Sequence, residues 1–390
     1  MKKANLSSLQ LYRCFACGYC KFTSDFVDYN CPSYKRFRFE TYFTGGRLWL
    51  MYAWLNGEIS WSENLANIIY TCTTCKNCVE HCPMGFNQDI VNWITSVRGE
   101  VIERGLAPPN IRDFLENIRK HGNPWGKPKD GREAWTKNVS VRKFKPADDY
   151  LLYVGCLASY DNRAQEIAKS LVEILNDTDI SFGILGNEEN CDGNEVFMLG
   201  EKGLYQLLAE QNIKKFKELN VKRIITLSPH SYNIMRNEYP KLGGTFEVLH
   251  YTQLLHDLIK SGKIKLSKTE VKVTYHDPCF LGRYNWIYEP PREILKSIPG
   301  LELLEMRRNR GNSFCCGGGS GNFIMDLLGG SEDSPNRVRV REAYETGAKV
   351  LAVACPGCMV MFESALKDEE MEEKLVVRDI SEIIRDSCRR

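Results

Sequence analysis

From Asp149 onward the chain alternates short apolar runs with longer amphipathic stretches. DYLLYVGC reads as a buried strand, NRAQEIAKSLVEILND as an amphipathic helix and SFGILG as a second strand. GEKGLYQLLAEQNIKKFKELN continues as a helix. Strand KRIITLS, helix HSYNIMRNEYP, strand FEVLHY and helix TQLLHDLIKSG follow. From Val271 the order returns, with strands VKVTYHDPC, LELLEM, KVLAVACPGC and KLVVRDI. Helices PPREILKSI, RVRVREAYETG, MVMFESALKD and SEIIRDSCRR lie between and after them. Such alternation predicts parallel-sheet α/β units. The period of about 120 residues is too long for a solenoid and marks two homologous halves, 149–268 and 269–390, related by a pseudo-twofold axis.

Before Asp149 the pattern changes. Residues 1–105 lack alternating strands, and the stretch from Phe37 to Tyr70 reads as helical. Within it, RLWLMYAWLNG (Arg47 to Gly57) concentrates aromatic and aliphatic side chains. It is either a helix packing on its own core or a docking face for a partner. Residues 106–148 turn proline-rich and polar, a connector with one short helix from Ile111 to Lys120. Trp125 and Trp135 are its expected anchors.

The length of 390 residues fits two or three domains. With 52 basic and 50 acidic side chains the net charge is +2, which argues against nucleic-acid binding. No apolar stretch is long enough to span a membrane. MKKANLSSLQ has neither the apolar core nor the cleavage site of a secretory signal. The expected location is cytoplasmic, with membrane association only through a partner.

The 16 cysteines change the picture. Disulfides on that scale do not suit a reducing compartment, where clustered cysteines hold metal. Cys72, Cys75, Cys78 and Cys82 form C-x2-C-x2-C-x3-C-P, the ferredoxin run for [4Fe–4S] clusters. Cys14, Cys17 and Cys20 repeat its start, and Cys31-Pro32 follows. The fourth cysteine of such a run reaches the neighbouring cluster. Crossed ligation is therefore expected: Cys14, Cys17, Cys20 and Cys82 on one cubane, and Cys72, Cys75, Cys78 and Cys31 on the other. Structural zinc usually uses two separated pairs, which leaves the third cysteine and the Cys-Pro step unexplained. An all-helical ferredoxin module is the expected host.

A third group, Cys279, Cys315, Cys316, Cys355 and Cys358, follows strand ends and a turn of the second half. Open α/β sheets carry their sites at such positions. The first half keeps only Cys156 and Cys191 at the equivalent stations, with Asn190, Ser228 and Ser231 where other cysteines would stand. Cys388 is a spare thiol.

The chain closely resembles the cysteine-rich CCG-domain iron–sulfur oxidoreductases. CX35CCGG followed by X38CPGC looks like the CCG domain of heterodisulfide reductase. The tandem arrangement behind a two-cluster ferredoxin module is similar to that enzyme's D subunit. It is also similar to the K subunit of the sulfite-reductase-linked membrane complex, and to the iron–sulfur protein linking electron-transferring flavoprotein to menaquinone. The resemblance implies a noncubane [4Fe–4S] cluster on Cys279, Cys315, Cys316, Cys355 and Cys358. With two of five thiols, the first half is expected to hold none. Asn190, Ser228, His230 and Ser231 would then form a polar wall facing the intact site.

The implied activity is reduction or formation of a small-molecule or protein disulfide, or a related sulfur bond. Electrons would pass through two cubane [4Fe–4S] clusters. The alternative is a relay between a flavoprotein and a membrane quinone or cytochrome subunit, without thiol chemistry. No dinucleotide fingerprint is present, so electrons must be exchanged with a partner. His276, beside Asp277 and Cys279, is the candidate proton donor or else a hydrogen-bonding residue of the turn. His230 has the same standing, and His81 would tune a cluster by hydrogen bonding. Cys156 and Cys191 are buried relics or a redox pair.

Overall fold

The computed structural model describes residues 8–388. The opening MKKANLS, with the expectation about a secretory signal, and the last two residues of SEIIRDSCRR lie outside the described residues.

Among the described residues, eight short strands build two parallel sheets. In the first half β1 (Tyr150–Tyr153), β2 (Phe182–Ile184), β3 (Arg223–Thr226) and β4 (Glu247–His250) lie in the order β2-β1-β3-β4. In the second, β5 (Val271–Tyr275), β6 (Leu301–Leu303), β7 (Val350–Val353) and β8 (Val376–Asp379) lie in the order β6-β5-β7-β8. Leu151 stands opposite Ile224, which stands opposite Val248. Val273, Val350 and Val376 repeat that register. Helices cover the sheets, so central strands read as continuous apolar runs rather than alternating ones.

The halves join through crossed helix pairs. Gln165–Asn176 of the first packs on Ile380–Cys388 of the second, and Tyr251–Lys260 packs on Glu289–Ser297. The first long helix of each half thus meets the last of the other, which is the expected pseudo-twofold. Leu171, Leu255, Leu295 and Ile384 belong to one apolar core that runs through this seam.

The N-terminal part is helical, chiefly Thr44–Leu55, Glu63–Tyr70 and Ile90–Glu103, with one isolated antiparallel bridge between Phe22 and Tyr29. Leu48, Met51, Trp54 and Leu55 point inward, whereas Trp49 stays 38% exposed beside Tyr12. The aromatic segment therefore packs a core and also presents an edge.

The connector helix runs from Pro109 to His121, somewhat longer than its periodicity predicts. Proline in the first turn starts it, and Gly122 at φ 70 closes it in the left-handed region. Trp135 is buried in the shared core, and Trp125 lies against Tyr160 and Phe323 of opposite halves. The chain then runs along the edge of β2. Phe144 donates to the Ile184 carbonyl, and Ile184 to that of Arg142, both at 3.0 Å. Gly183 permits this approach, since a Cβ there would stand 2.4 Å from Phe144 Cα.

Candidate functional site

The cysteines of the three motif groups gather into three cages. Cys14, Cys17, Cys20 and Cys82 line a cavity of ≈ 350 Å³. Cys31, Cys72, Cys75 and Cys78 line one of ≈ 330 Å³. Each cage draws three thiols from one turn and the fourth from the other run. Both turns place left-handed residues on either side of the middle cysteine, Ala16 and Gly18 around Cys17, and Thr74 and Lys76 around Cys75. Alternating backbone of this kind turns N–H groups into a concavity that favours anions. The amide of Ala16 reaches Cys14 and that of Asn77 reaches Cys75. Proline after Cys31 and Cys82 turns the chain away, and Cys31 begins the Pro32–Phe37 helix.

Burial pushes the thiols of Cys20, Cys31, Cys75 and Cys78 upward, with mutual repulsion of neighbouring sulfurs adding to it. At Cys75 the leading cause is its hydrogen bond with Cys315. Cationic side chains surround the same sulfurs. Arg47 is 1% exposed and donates to the Ile68 and Tyr42 carbonyls at 2.9 and 2.7 Å and to Ser33 and Thr71 hydroxyls. Arg98 and Arg283 are likewise buried and donate to carbonyls, including those of Cys72 and Cys75. These guanidinium groups bond to carbonyl and hydroxyl oxygens rather than to carboxylates. Buried cations without carboxylates need an anionic neighbour. Thiolate-held iron–sulfur groups fit that requirement, and the all-sulfur donor sets fit iron–sulfur chemistry.

The third cage is assembled from the second half. Cys279 follows β5, Cys315 and Cys316 occupy a turn after β6, and Cys355 and Cys358 follow β7. All five are buried. The sulfurs of Cys316 and Cys358 lie 3.4 Å apart. The N–H groups of Gly317 and Gly318 point at Cys315 and Cys316 sulfurs, at 3.3 and 3.4 Å. Cys315 Sγ also lies 3.7 Å from Thr73 Oγ1 of the second cage's turn. Gly319 allows that docking, because a Cβ would stand 2.4 Å from the Thr73 carbonyl oxygen. Gly319 thus lets the helical module seat directly on the third cage.

His276 sits behind this cage. Its Nδ1 accepts from Arg339 Nε at 3.2 Å, its ring packs on Phe362, and its ligand atoms lie within 4.8 Å of those of Cys316 and Cys358. Burial lowers its pKa. Asp277 is taken up by Arg292, at 2.6 and 2.9 Å, and by the Arg310 amide. Neither lines the cavity between the halves. His81 is half-buried and lowered to about 4 by burial, and its Nε2 has no hydrogen-bond partner among the described residues.

That cavity, of ≈ 790 Å³ with its mouth, lies between the halves. One wall carries Cys279, Cys316 and Cys358; the other carries Cys156, Cys191, Asp192, Glu195, Ser228, His230 and Ser231. His230 rather than His276 faces it. His230 Nδ1 contacts Glu195, and its ring lies 4.1 Å from that of Phe280. Burial alone would lower the His230 pKa, but the Glu195 carboxylate and the Cys355 sulfur raise it well above the usual value. Glu195 also accepts from the Gly321 amide at 2.5 Å, which ties the wall to the opposite half. Asn190 departs from expectation. Its side chain turns outward to accept from Lys129 at 2.8 Å, and its carbonyl accepts from Tyr153 at 2.6 Å. Sequence reasoning missed Glu195, Asp192, and the buried Arg132–Glu189 pair at 2.8 Å. The NCDG turn was the available signal for Asp192, and Glu195 lies two residues beyond it in the helix Asn194–Met198.

Comparisons with known proteins agree with this arrangement. Residues 150–236 and 273–363 match the family described as "Cysteine-rich domain" (CCG), and residues 10–86 match "4Fe-4S dicluster domain". The chain is 38% identical to "Probable iron-sulfur-binding oxidoreductase FadF" of Bacillus subtilis, over 82% of this chain and 46% of that one. It is 37% identical to "EtfAB:quinone oxidoreductase" of Syntrophomonas wolfei, over 81% and 46%. Against the D subunit of dihydromethanophenazine:CoB--CoM heterodisulfide reductase from Methanosarcina barkeri it is 32% identical over 83% and 78%. The chain thus spans about half the length of the first two relatives. A crystal structure of a hypothetical protein from Helicobacter pylori shares the fold, at TM-score 0.50 and 13% identity, over 88% of this chain and 68% of that one.

Proposed function

The chain belongs to the family of iron–sulfur oxidoreductases with cysteine-rich CCG domains that includes the D subunit of heterodisulfide reductase, and from that premise we propose that it reduces or forms a disulfide or related sulfur bond. Cys14, Cys17, Cys20 and Cys82 would hold one cubane [4Fe–4S] cluster, and Cys31, Cys72, Cys75 and Cys78 the second. Cys279, Cys315, Cys316, Cys355 and Cys358 would hold a noncubane [4Fe–4S] cluster. When bound, these groups supply one-electron transfer and an iron site with affinity for sulfur.

The observation that carries the reading is the cavity between the halves, with cage thiols on one wall and a histidine–carboxylate pair on the other. A relay alone needs no such chamber. Cys156, Cys279, Cys316 and Cys358 give it a sulfur-lined interior, and Phe114, Ile118 and Phe323 give it an apolar side that excludes water. Glu195 orients His230, so the other ring nitrogen is free to carry a proton toward Cys355 and the chamber. His276, hydrogen-bonded by Arg339, orients the Cys316 sulfur from behind. Electrons would enter at the opposite end, where Cys17 is exposed and Phe15 and Tyr19 stand 74% and 46% exposed. The donor or acceptor there would be another redox protein, either a flavoprotein or a membrane quinone or cytochrome subunit. No helix among the described residues is long and apolar enough to cross a membrane.

A second reading has support in the quinone oxidoreductase relative: the chain relays electrons between a flavoprotein and a quinone subunit without thiol chemistry. A low-temperature EPR titration with thiols separates the two. The first reading expects a thiol-dependent paramagnetic signal that survives Cys17→Ala and disappears in Cys316→Ala. Absence of any thiol-dependent signal in the intact protein would leave the relay.

A further inference from the structure

Cys156 and Cys191 are the two thiols of the first half, and no cage uses them. They line the chamber opposite Cys279, Cys316 and Cys358. They stand on the same wall, near enough for each sulfur to shift the other's acidity. Cys156 follows β1 on a Gly155 at φ 79, and Cys191 follows β2 in the NCDG turn. Two separate strand ends thus deliver them to one spot.

The surroundings of the two sulfurs differ. Arg132, 2% exposed, aims two guanidinium nitrogens at Cys156 Sγ, each at 3.5 Å. The same guanidinium is fixed by Glu189 at 2.8 Å and by the carbonyl of Asn190 at 3.2 Å. Glu189 in turn accepts from the amides of Val154 and Gly155, both at 2.9 Å. The cation beside Cys156 is therefore built in. A cation at that distance favours the thiolate, the form that attacks disulfides. No cation faces Cys191 among the described residues, and its neighbour Cys156, burial and Asp192 hold its pKa up. One activated and one resting thiol make an attacking and resolving pair.

We propose that Cys156 and Cys191 form a redox-active dithiol that accepts the substrate disulfide in the chamber before the iron–sulfur groups do. The Cys156 thiolate attacks R–S–S–R′, breaking that bond and forming Cys156–S–S–R with release of R′S⁻. Cys191 then attacks Cys156 Sγ, forming the Cys156–Cys191 disulfide and releasing RS⁻. The proton of Cys191 leaves on one of the two product thiols. The substrate disulfide is the oxidant and gains two electrons, and the pair loses two. Two electrons, which the iron–sulfur groups would supply when bound, together with one proton would restore the Cys156 thiolate and the Cys191 thiol. The inference rests on the disulfide reading above and identifies the substrate class of that chamber as one able to exchange with a protein thiol.

The test uses the full chain, isolated anaerobically with its iron, and 2-hydroxyethyl disulfide as probe. After acid quenching and alkylation, peptide mass spectrometry is expected to show a Cys156–Cys191 disulfide in the native protein. In Cys191→Ser the same probe is expected to remain as a mixed disulfide on Cys156. Arg132→Gln is expected to slow that adduct by about tenfold or more, and Arg132→Lys to restore most of the rate. Exchange needs no electron from the iron–sulfur groups. Oxidation of the pair is therefore expected to survive Cys316→Ala, which separates failure of this inference from failure of the reading beneath it. Recovery of both cysteines as alkylated thiols, with the iron–sulfur absorbance intact, overturns the proposal. So does an adduct confined to other cysteines.

Discussion

The two α/β halves share strand order and register and keep cysteines at two equivalent stations, Cys156 and Cys191 in the first half, but differ at the other positions where chemistry could sit. At the end of β7, Cys355 precedes the Pro356–Asp368 helix and spends no side-chain hydrogen bond on capping it. At the end of β3, Ser228 occupies the same place and accepts from the His230 amide at 3.2 Å, capping the Pro229–Asn237 helix. Ser231 donates to Asp192 at 2.6 Å, whereas its counterpart Cys358 faces Cys316 sulfur at 3.4 Å. The first half spends its oxygens on its own structure, and the second leaves its sulfurs facing one another. One fold therefore supports two functions, a cage in one half and a polar, histidine-bearing wall in the other, through the identity of a few strand-end residues.

The sharpest way to break this comparison is to remove a cage thiol. Cys355→Ala is expected to abolish disulfide-dependent turnover and to cost about four irons per chain, read by iron analysis. Unchanged iron would refute the assignment of Cys355.

Arg283→Met removes a buried cation that joins the third cage's half to the Cys75 carbonyl at 2.7 Å. A loss of about 3 kcal/mol is expected, as for other buried charge networks broken on one side, with faster proteolysis between the helical module and the sheets. Anaerobic denaturation and limited digestion would check it. An unshifted midpoint would show that the module is held elsewhere.

A third contrast lies at the last strand of each half. His250 ends β4 and Asp379 ends β8, and each bonds the hydroxyl two residues on, Thr252 and Ser381, both at 2.7 Å. Burial lowers His250 to about 3 from 6.5, so the unfolded chain binds the extra proton between those values. Stability from His250 therefore rises with pH across that window. Burial raises Asp379 to about 7 from 3.8, so the folded chain holds the extra proton, and stability falls as pH rises through that window. The two slopes oppose each other between about pH 4 and 6.5, each at most about 1.4 kcal/mol per pH unit. Asp379→Asn is expected to unmask a melting temperature that rises from about pH 5 to 6.5, and His250→Gln one that falls. Thermal unfolding under argon reads both, and identical pH profiles for the two variants would contradict the account.

The smallest effect belongs to Ser228→Ala. Loss of an N-cap should cost about 1 kcal/mol and leave iron content unchanged. Any loss of iron would place a ligand where the structure shows a cap.

Much of this was legible in the sequence because its signals are local. Parallel strands covered on both faces leave unbroken apolar runs such as LLY of β1 and VLAV of β7. Cysteine spacing led to the two four-cysteine groupings that each line one cavity. Long-range contacts left no such trace. The pairing of Phe144 with β2 depends on Gly183, and neither residue announces it. Arg132, Glu189 and Glu195 belong to no sequence motif, yet Arg132 and Glu189 form a buried pair beside Cys156 and Glu195 lines the chamber against His230. Asn190 aligns with a cysteine of the other half, yet Lys129 and Tyr153 draw it away from the chamber. Two histidines looked alike, and only the packing of the halves decides that His230 faces the chamber and His276 lies behind it.

The most direct measurement is iron and acid-labile sulfide in anaerobically prepared protein. Three occupied cages predict about 12 irons per chain, including those held by the sulfurs beside the chamber. A value of about 8, matching the two helical-module cages alone, would contradict the account.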